Sequence, residues 1–157
     1  MAILLQEEGL IDRAVIYATD MNEHVLEKAK RGAFSIKKMQ AYTTNYMLAG
    51  GSHAFSEYYK TDYQYAYFHP ELLKNIIFAQ HNLVTDQSFN EFHVIICRNV
   101  LIYFSPVLQS QVHHLFYESL SPNGFLCLGD KETLRCEAII SNYKETVAIE
   151  KIYQKLD

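Results

Sequence analysis

The chain has 157 residues, a formal net charge of −4 and an isoelectric point near 6.0. That length suits one domain able to bury a real core, and the charge balance gives no footing for nucleic acid or anionic lipid. No apolar run approaches a membrane span, and the start, Met1-Ala2-Ile3-Leu4-Leu5-Gln6-Glu7-Glu8, lacks the basic opening and small-residue cleavage site of a signal peptide.

Taken in order, Ala2 to Gly9 reads as the end of a helix that stops at the glycine. Ala14 to Ala18 predicts a strand running to Thr19-Asp20. A helix follows, capped by Asn22 or Asp20, burying Val25, Leu26 and Ala29 and ending at Gly32. This helix–strand–helix order is a slice of an alternating α/β pattern. Gly50-Gly51-Ser52 is a loop without the look of a phosphate cradle. Phe55 to Phe68 is rich in tyrosine and predicts a β-hairpin turning at Lys60-Thr61-Asp62, with Tyr63, Tyr65 and Tyr67 in alternation and His69-Pro70 closing it. Ile76 to Ala79 is another strand. It leads to Asn82-Leu83 and the polar loop Thr85-Asp86-Gln87-Ser88.

Phe92 to Cys97 is a continuous apolar run, expected to be a strand buried on both faces and therefore part of a parallel sheet. Ser105-Pro106 opens an amphipathic helix through Val107, Leu108, Val112, Leu115, Phe116 and Leu120. Ser121-Pro122-Asn123-Gly124 is a turn, Phe125 to Leu128 a strand, and Thr146 to Tyr153 a last strand. The three cysteines, Cys97, Cys127 and Cys136, form an odd set without C-x-x-C spacing, so a reduced cytoplasmic setting is the simpler reading. None of the seven histidines has zinc-site spacing, and no metal is expected.

Ligands of open parallel sheets bind just beyond the carboxyl ends of the strands. Arg98 and Asn99 stand at such an end, directly after the apolar run, and suggest a site. Here the sequence resembles the catalytic domain of the CheR family, chemotaxis methyltransferases that use S-adenosylmethionine. The matching stretches are Ala18-Thr19-Asp20-Met21-Asn22 with Val25-Leu26-Glu27-Lys28-Ala29, then Gln80-His81-Asn82-Leu83, then Cys97-Arg98-Asn99-Val100-Leu101-Ile102-Tyr103-Phe104, and Leu120-Ser121-Pro122-Asn123-Gly124-Phe125-Leu126-Cys127-Leu128-Gly129. The resemblance implies a Rossmann-like α/β methyltransferase sheet with flanking helices, with residues 52–75 as an inserted β-subdomain. It also implies that the chain starts inside the domain. The first strand and its glycine loop, which cradles the methionine end of the cofactor, are expected to be missing, leaving two neighbouring strands short of a partner and the chain an incomplete, weakly active or inactive fragment of the enzyme.

Each implied site residue has a plainer rival. By resemblance Asp20 accepts the ribose hydroxyls of the cofactor, and the rival is a helix cap. Asn82 and Leu83 flank the adenine, or simply form a turn. Arg98 and Asn99 line the cofactor pocket and Arg98 also faces the acceptor; the rival for Arg98 is a structural ion pair. Tyr103 belongs to the methyl-transfer centre, or packs in the core. A glutamate acceptor, with a pKa of about 4.3, is already a nucleophile at neutral pH, so no general base is required. The expected product is S-adenosylhomocysteine and the expected partner a chemoreceptor or related signalling protein, with neither nucleic acid nor membrane insertion. Copies could also associate through the unpaired strands. The tyrosine-rich hairpin either docks that substrate or builds a mini-core. Having no glycine at Lys60-Thr61-Asp62, it is expected to lack a receptor-tail tether. The rival functions are a non-catalytic signalling module that keeps the fold and, with less support, a small-molecule methyltransferase.

Overall fold

The computed structural model describes residues 1–134 and 136–157, which fall into two compact units, Met1–His81 and Asn82–Asp157. In the first unit, α1 (Ala2–Glu7) ends at Gly9, whose φ of +66° is the left-handed conformation that glycine enters without a Cβ penalty. Then come β1 (Ile16–Asp20), α2 (Glu23–Lys30), β2 (Ala33–Ser35), α3 (Ile36–Leu48), β3 (Tyr59–Thr61), β4 (Tyr65–Phe68), α4 (Pro70–Leu73) and β5 (Ile76–Gln80). β1 and β5 pair in parallel, from Ile16 opposite Ile76 to Asp20 opposite Gln80. α2 connects out of β1 with Leu26 as its buried residue. Gly32, at φ +59°, turns the chain out of α2 where a Cβ would lie 2.9 Å from Leu73.

The predicted hairpin is present as antiparallel β3 and β4, with β2 added on the far side of β4. Its turn falls at residues 62–64, where the Asp62 carboxylate accepts the backbone N–H groups of Gln64 and Tyr65, each at 2.7 Å. Met39, Phe55, Tyr58, Ala66 and Leu72 form a small core, with Tyr46, Tyr59 and Phe68 packed against it. The tyrosines divide between the two sides of the hairpin. Tyr58 and Tyr59 build the mini-core, whereas Tyr63, Tyr65 and Tyr67 lie on the exposed side. The Glu7 carboxylate anchors this core, accepting hydrogen bonds from Tyr46 and, at 2.6 Å, from Tyr58. Those hydroxyls, Tyr46 foremost, hold its pKa below the usual carboxylate value, and burial pushes the Tyr58 phenol upward.

The second unit contains β6 (Phe92–Cys97), α5 (Pro106–Ser119), β7 (Leu120–Leu128), α6 (Glu137–Ile140), β8 (Tyr143–Val147) and β9 (Ile152–Lys155). Its sheet has the order β6-β7-β9-β8, parallel between β6 and β7 and antiparallel elsewhere. Leu101, Val112, Phe116, Leu126, Leu128, Leu134 and Tyr153 are central to its core. Ser105 caps α5 and Pro106 occupies its first turn, as the sequence predicts. At the other end, the Lys155 ammonium donates to the carbonyls of Tyr117 and Leu120 at 2.9 and 2.6 Å, a cation at the negative end of the helix dipole.

Three expectations are corrected. β6 is not buried on both faces: Val94 and Ile96 are 47% and 51% exposed, because among the described residues β6 pairs only with β7 and one face of the strand is uncovered. The single last strand is a hairpin, β8 and β9, with Lys151 taking φ +53° in its turn. The strand at Phe125–Leu128 begins at Leu120 and absorbs the predicted turn as an irregular stretch, with Asn123 at φ +61°. Pairing is also one-sided for β1, which meets only β5 among the described residues.

Candidate functional site

In the first unit the predicted residue is Asp20, half-buried at the carboxyl end of β1. Its carboxylate accepts the Asn22 N–H at 2.8 Å, and the Asn22 side chain in turn accepts the His24 N–H at 3.0 Å. The cap of α2 is therefore Asn22, while Asp20 shapes the turn that leads into it. Neighbouring chain is fixed by Gln80, which donates to the Met21 carbonyl at 3.0 Å, and by the His81 N–H, which donates to the Asp20 carbonyl at 3.1 Å.

The other predicted residues belong to the second unit. Asn82 organises a tight loop: its side chain accepts the Val84 N–H at 3.0 Å, and its own N–H donates to the Asp86 carboxylate at 2.8 Å. Leu83 is half-buried and packs against this unit's core. Arg98 and Asn99 follow directly on β6, and both are exposed. Arg98 makes no ion pair or hydrogen bond with any described residue, so the structural ion-pair reading has no partner to rest on. Being exposed, it carries no desolvation cost for lacking a partner. Asn99 adopts φ +59°, a left-handed conformation that asparagine tolerates better than most residues.

The chain then makes a short helical turn, Leu101–Tyr103, with Leu101 driven into the core and Tyr103 81% exposed. That exposure excludes core packing for Tyr103. Gln109 of α5 clamps the turn, donating from its amide to the carbonyls of Leu101 and Phe104, each at 3.0 Å. Sequence reasoning missed one contributor. Glu132 is only 4% exposed, and its carboxylate accepts the backbone N–H groups of Asn99 (3.0 Å), Val100 (2.8 Å), Leu101 (2.7 Å) and Gly129 (2.7 Å). Gly129 is required to be small there, since a Cβ would sit 2.7 Å from the Glu132 oxygen and 3.0 Å from the Asn99 nitrogen.

The titratable neighbours are poor bases and nucleophiles. Burial, reinforced by the Glu132 charge, pushes the Cys97 thiol up to about 12. Burial also raises Cys127, with Arg98 opposing. A concavity of about 880 Å³ along α5 is lined by residues such as Ser88, Val107, Leu115 and Cys136 and by none of the predicted site residues. Among the described residues no histidine, cysteine, aspartate and glutamate group could hold a metal ion.

Residues 1–149 match the protein family described as CheR methyltransferase, SAM binding domain. The chain is 46% identical over 155 residues to Cher3 of Pseudomonas putida, covering 99% of this chain and 57% of that protein. It is 32% identical over 134 residues to a chemotaxis protein methyltransferase of Listeria innocua, covering 85% of this chain and 48% of the relative. Against a chemotaxis protein methyltransferase of Listeria monocytogenes it is 34% identical over 119 residues, covering 76% and 42%. The chain thus spans about half the length of these curated relatives.

Proposed function

The chain belongs to the CheR methyltransferase family through its S-adenosylmethionine-binding domain, and from that premise we propose that it serves methyl transfer to glutamate side chains of a chemoreceptor or related cytoplasmic signalling protein. The observation that carries this reading is the Arg98–Asn99 pair, exposed at the carboxyl end of a parallel strand with side chains that hydrogen-bond to no described residue, where ligands of such sheets bind. S-adenosylmethionine, when bound, supplies a methyl group already activated by its sulfonium.

The residues present suit that ligand. In the first unit Asp20 offers a carboxylate at a strand end to a pair of ribose hydroxyls; in the second, Asn82 and Leu83 offer an amide and an apolar face to a purine, and Arg98 and Asn99 offer a guanidinium and a further amide to the cofactor. Arg98 and the Tyr103 hydroxyl hold and aim the acceptor carboxylate through charge-assisted bonds of about 1.5–3 kcal/mol each. The acceptor is ionised at neutral pH, so alignment and exclusion of water are what remain for the protein to provide, and alignment alone lowers such barriers by roughly 7–11 kcal/mol. The protonated Cys97 thiol has no part in that chemistry.

The exposed face of Tyr63, Tyr65 and Tyr67 on the β3–β4 hairpin favours a protein acceptor over a small molecule, since such rings offer large area at small entropic cost. Residues 52–75 accordingly form the docking subdomain, extended by β2. The open edges of β1 and β6 give copies of the chain a route to association. Those same edges favour, as a second reading, a non-catalytic module that keeps the fold and works by binding.

Incubation of a version extended to the length of the curated relatives with methyl-tritiated S-adenosylmethionine and a receptor cytoplasmic fragment should yield base-labile methyl esters. Arg98→Ala should slow labelling about tenfold or more, the loss of one such charge-assisted bond, with its thermal midpoint unchanged. An unaltered rate in that variant removes Arg98 from the site. Absence of label despite saturable binding of S-adenosylhomocysteine favours the non-catalytic module.

A further inference from the structure

Glu132 is nearly inaccessible, faces no cation among the described residues, and has both oxygens saturated by four backbone N–H groups. Such a carboxylate cannot touch a ligand. Its donors, however, are the chain on both sides of the candidate residues. One oxygen joins Asn99 to Gly129, tying the carboxyl end of β6 to that of β7. The other caps the turn Leu101–Tyr103 through Val100 and Leu101. A single buried group therefore sets the left-handed bend at Asn99, the direction in which Arg98 leaves the strand, and the base from which Tyr103 projects.

We propose that Glu132 is a positioning residue for the Arg98–Asn99 corner and the Tyr103 turn, acting on ligand binding only through them. The inference rests on the reading of Arg98, Asn99 and Tyr103 as site residues. It differs from a general stabilising role because it assigns the effect to four named amides and to affinity, with the rest of the sheet left in place. A neutral replacement is instructive. Glutamine keeps the volume and one acceptor oxygen but turns the other into an NH₂ donor facing backbone donors, so two of the four bonds are lost.

The test compares wild type, Glu132→Gln, Glu132→Asp and Arg98→Ala by amide hydrogen exchange, thermal unfolding and calorimetric titration with S-adenosylhomocysteine. In Glu132→Gln the amides of Asn99, Val100, Leu101 and Gly129 should exchange at least tenfold faster while those of the β7–β9 ladder keep their protection, and binding should weaken at least tenfold. Glu132→Asp, which retains the charge one carbon short, should lie between, and it carries the same comparison if the glutamine variant fails to fold. Arg98→Ala should weaken binding and leave the four amides protected. Wild-type protection of those amides in Glu132→Gln overturns the proposal, as does unchanged affinity in that variant beside weakened affinity in Arg98→Ala. Wild-type affinity in Arg98→Ala overturns the underlying site reading instead, whatever the amides do.

Discussion

His113 lies on α5 with no exposed surface, and neither ring nitrogen has a hydrogen-bond partner among the described residues. An imidazolium there would lose its hydration. Burial accordingly lowers its pKa from 6.5, with the Thr133 backbone and the Glu132 carboxylate opposing. The unfolded chain then takes up a proton that the folded chain refuses, so this contribution to stability is full above about pH 6.5 and drains away as the pH falls below it. His113→Leu should flatten the decline of the thermal midpoint between pH 7 and pH 5. A decline as steep as in wild type would show that His113 is not its source. The same scale separates what the sequence disclosed from what it hid. The place of Arg98 and Asn99 at a strand end was legible because two polar residues interrupt an apolar run. Glu132 was not, because three of its donors lie 31 to 33 residues upstream and it reads locally as one of a solvated run, Asp130-Lys131-Glu132.

Elements whose local signals agree with their tertiary setting were legible: α5 from its Ser-Pro start, the β3–β4 hairpin from its alternation, β5 from its apolar run. The helix α3 went unread. Its packing residues, Met39, Tyr42 and Tyr46, are mixed with Thr43 and Thr44, and they acquire partners only on folding, Tyr42 at 6.0 Å from Phe34 and Tyr46 at 5.1 Å from Phe55 between ring centroids. The β8–β9 turn was invisible because residues 148–151 contain no glycine, proline or asparagine. The burial of β6 was overestimated because an apolar run reports what a strand can bury against, not whether that neighbour is supplied. Among the described residues β6 has an open edge beside the exposed Val94 and Ile96, the kind of surface that pairs with other chains. Light scattering on the chain should show concentration-dependent association, reduced by Ile96→Lys. A clean monomer at all concentrations would contradict the edge-pairing account.

For the whole molecule, the two units divide the candidate residues, with Asp20 in the first and Asn82, Leu83, Arg98, Asn99 and Tyr103 in the second. Among the described residues no helix is long and apolar enough to cross a membrane, and the net charge of −4 gives no general attraction to polyanions. Under the proposed function, affinity for the cofactor comes from the few side chains at the strand ends. The most direct measurement is an NMR titration of the ¹⁵N-labelled chain with S-adenosylhomocysteine, followed residue by residue. The account predicts saturable shifts at the amides of residues 20–22, 82–83 and 98–103. Shifts confined to the α5 concavity around Val107 and Leu115, or amides at 20 and 98 that stay still while others move, would contradict it.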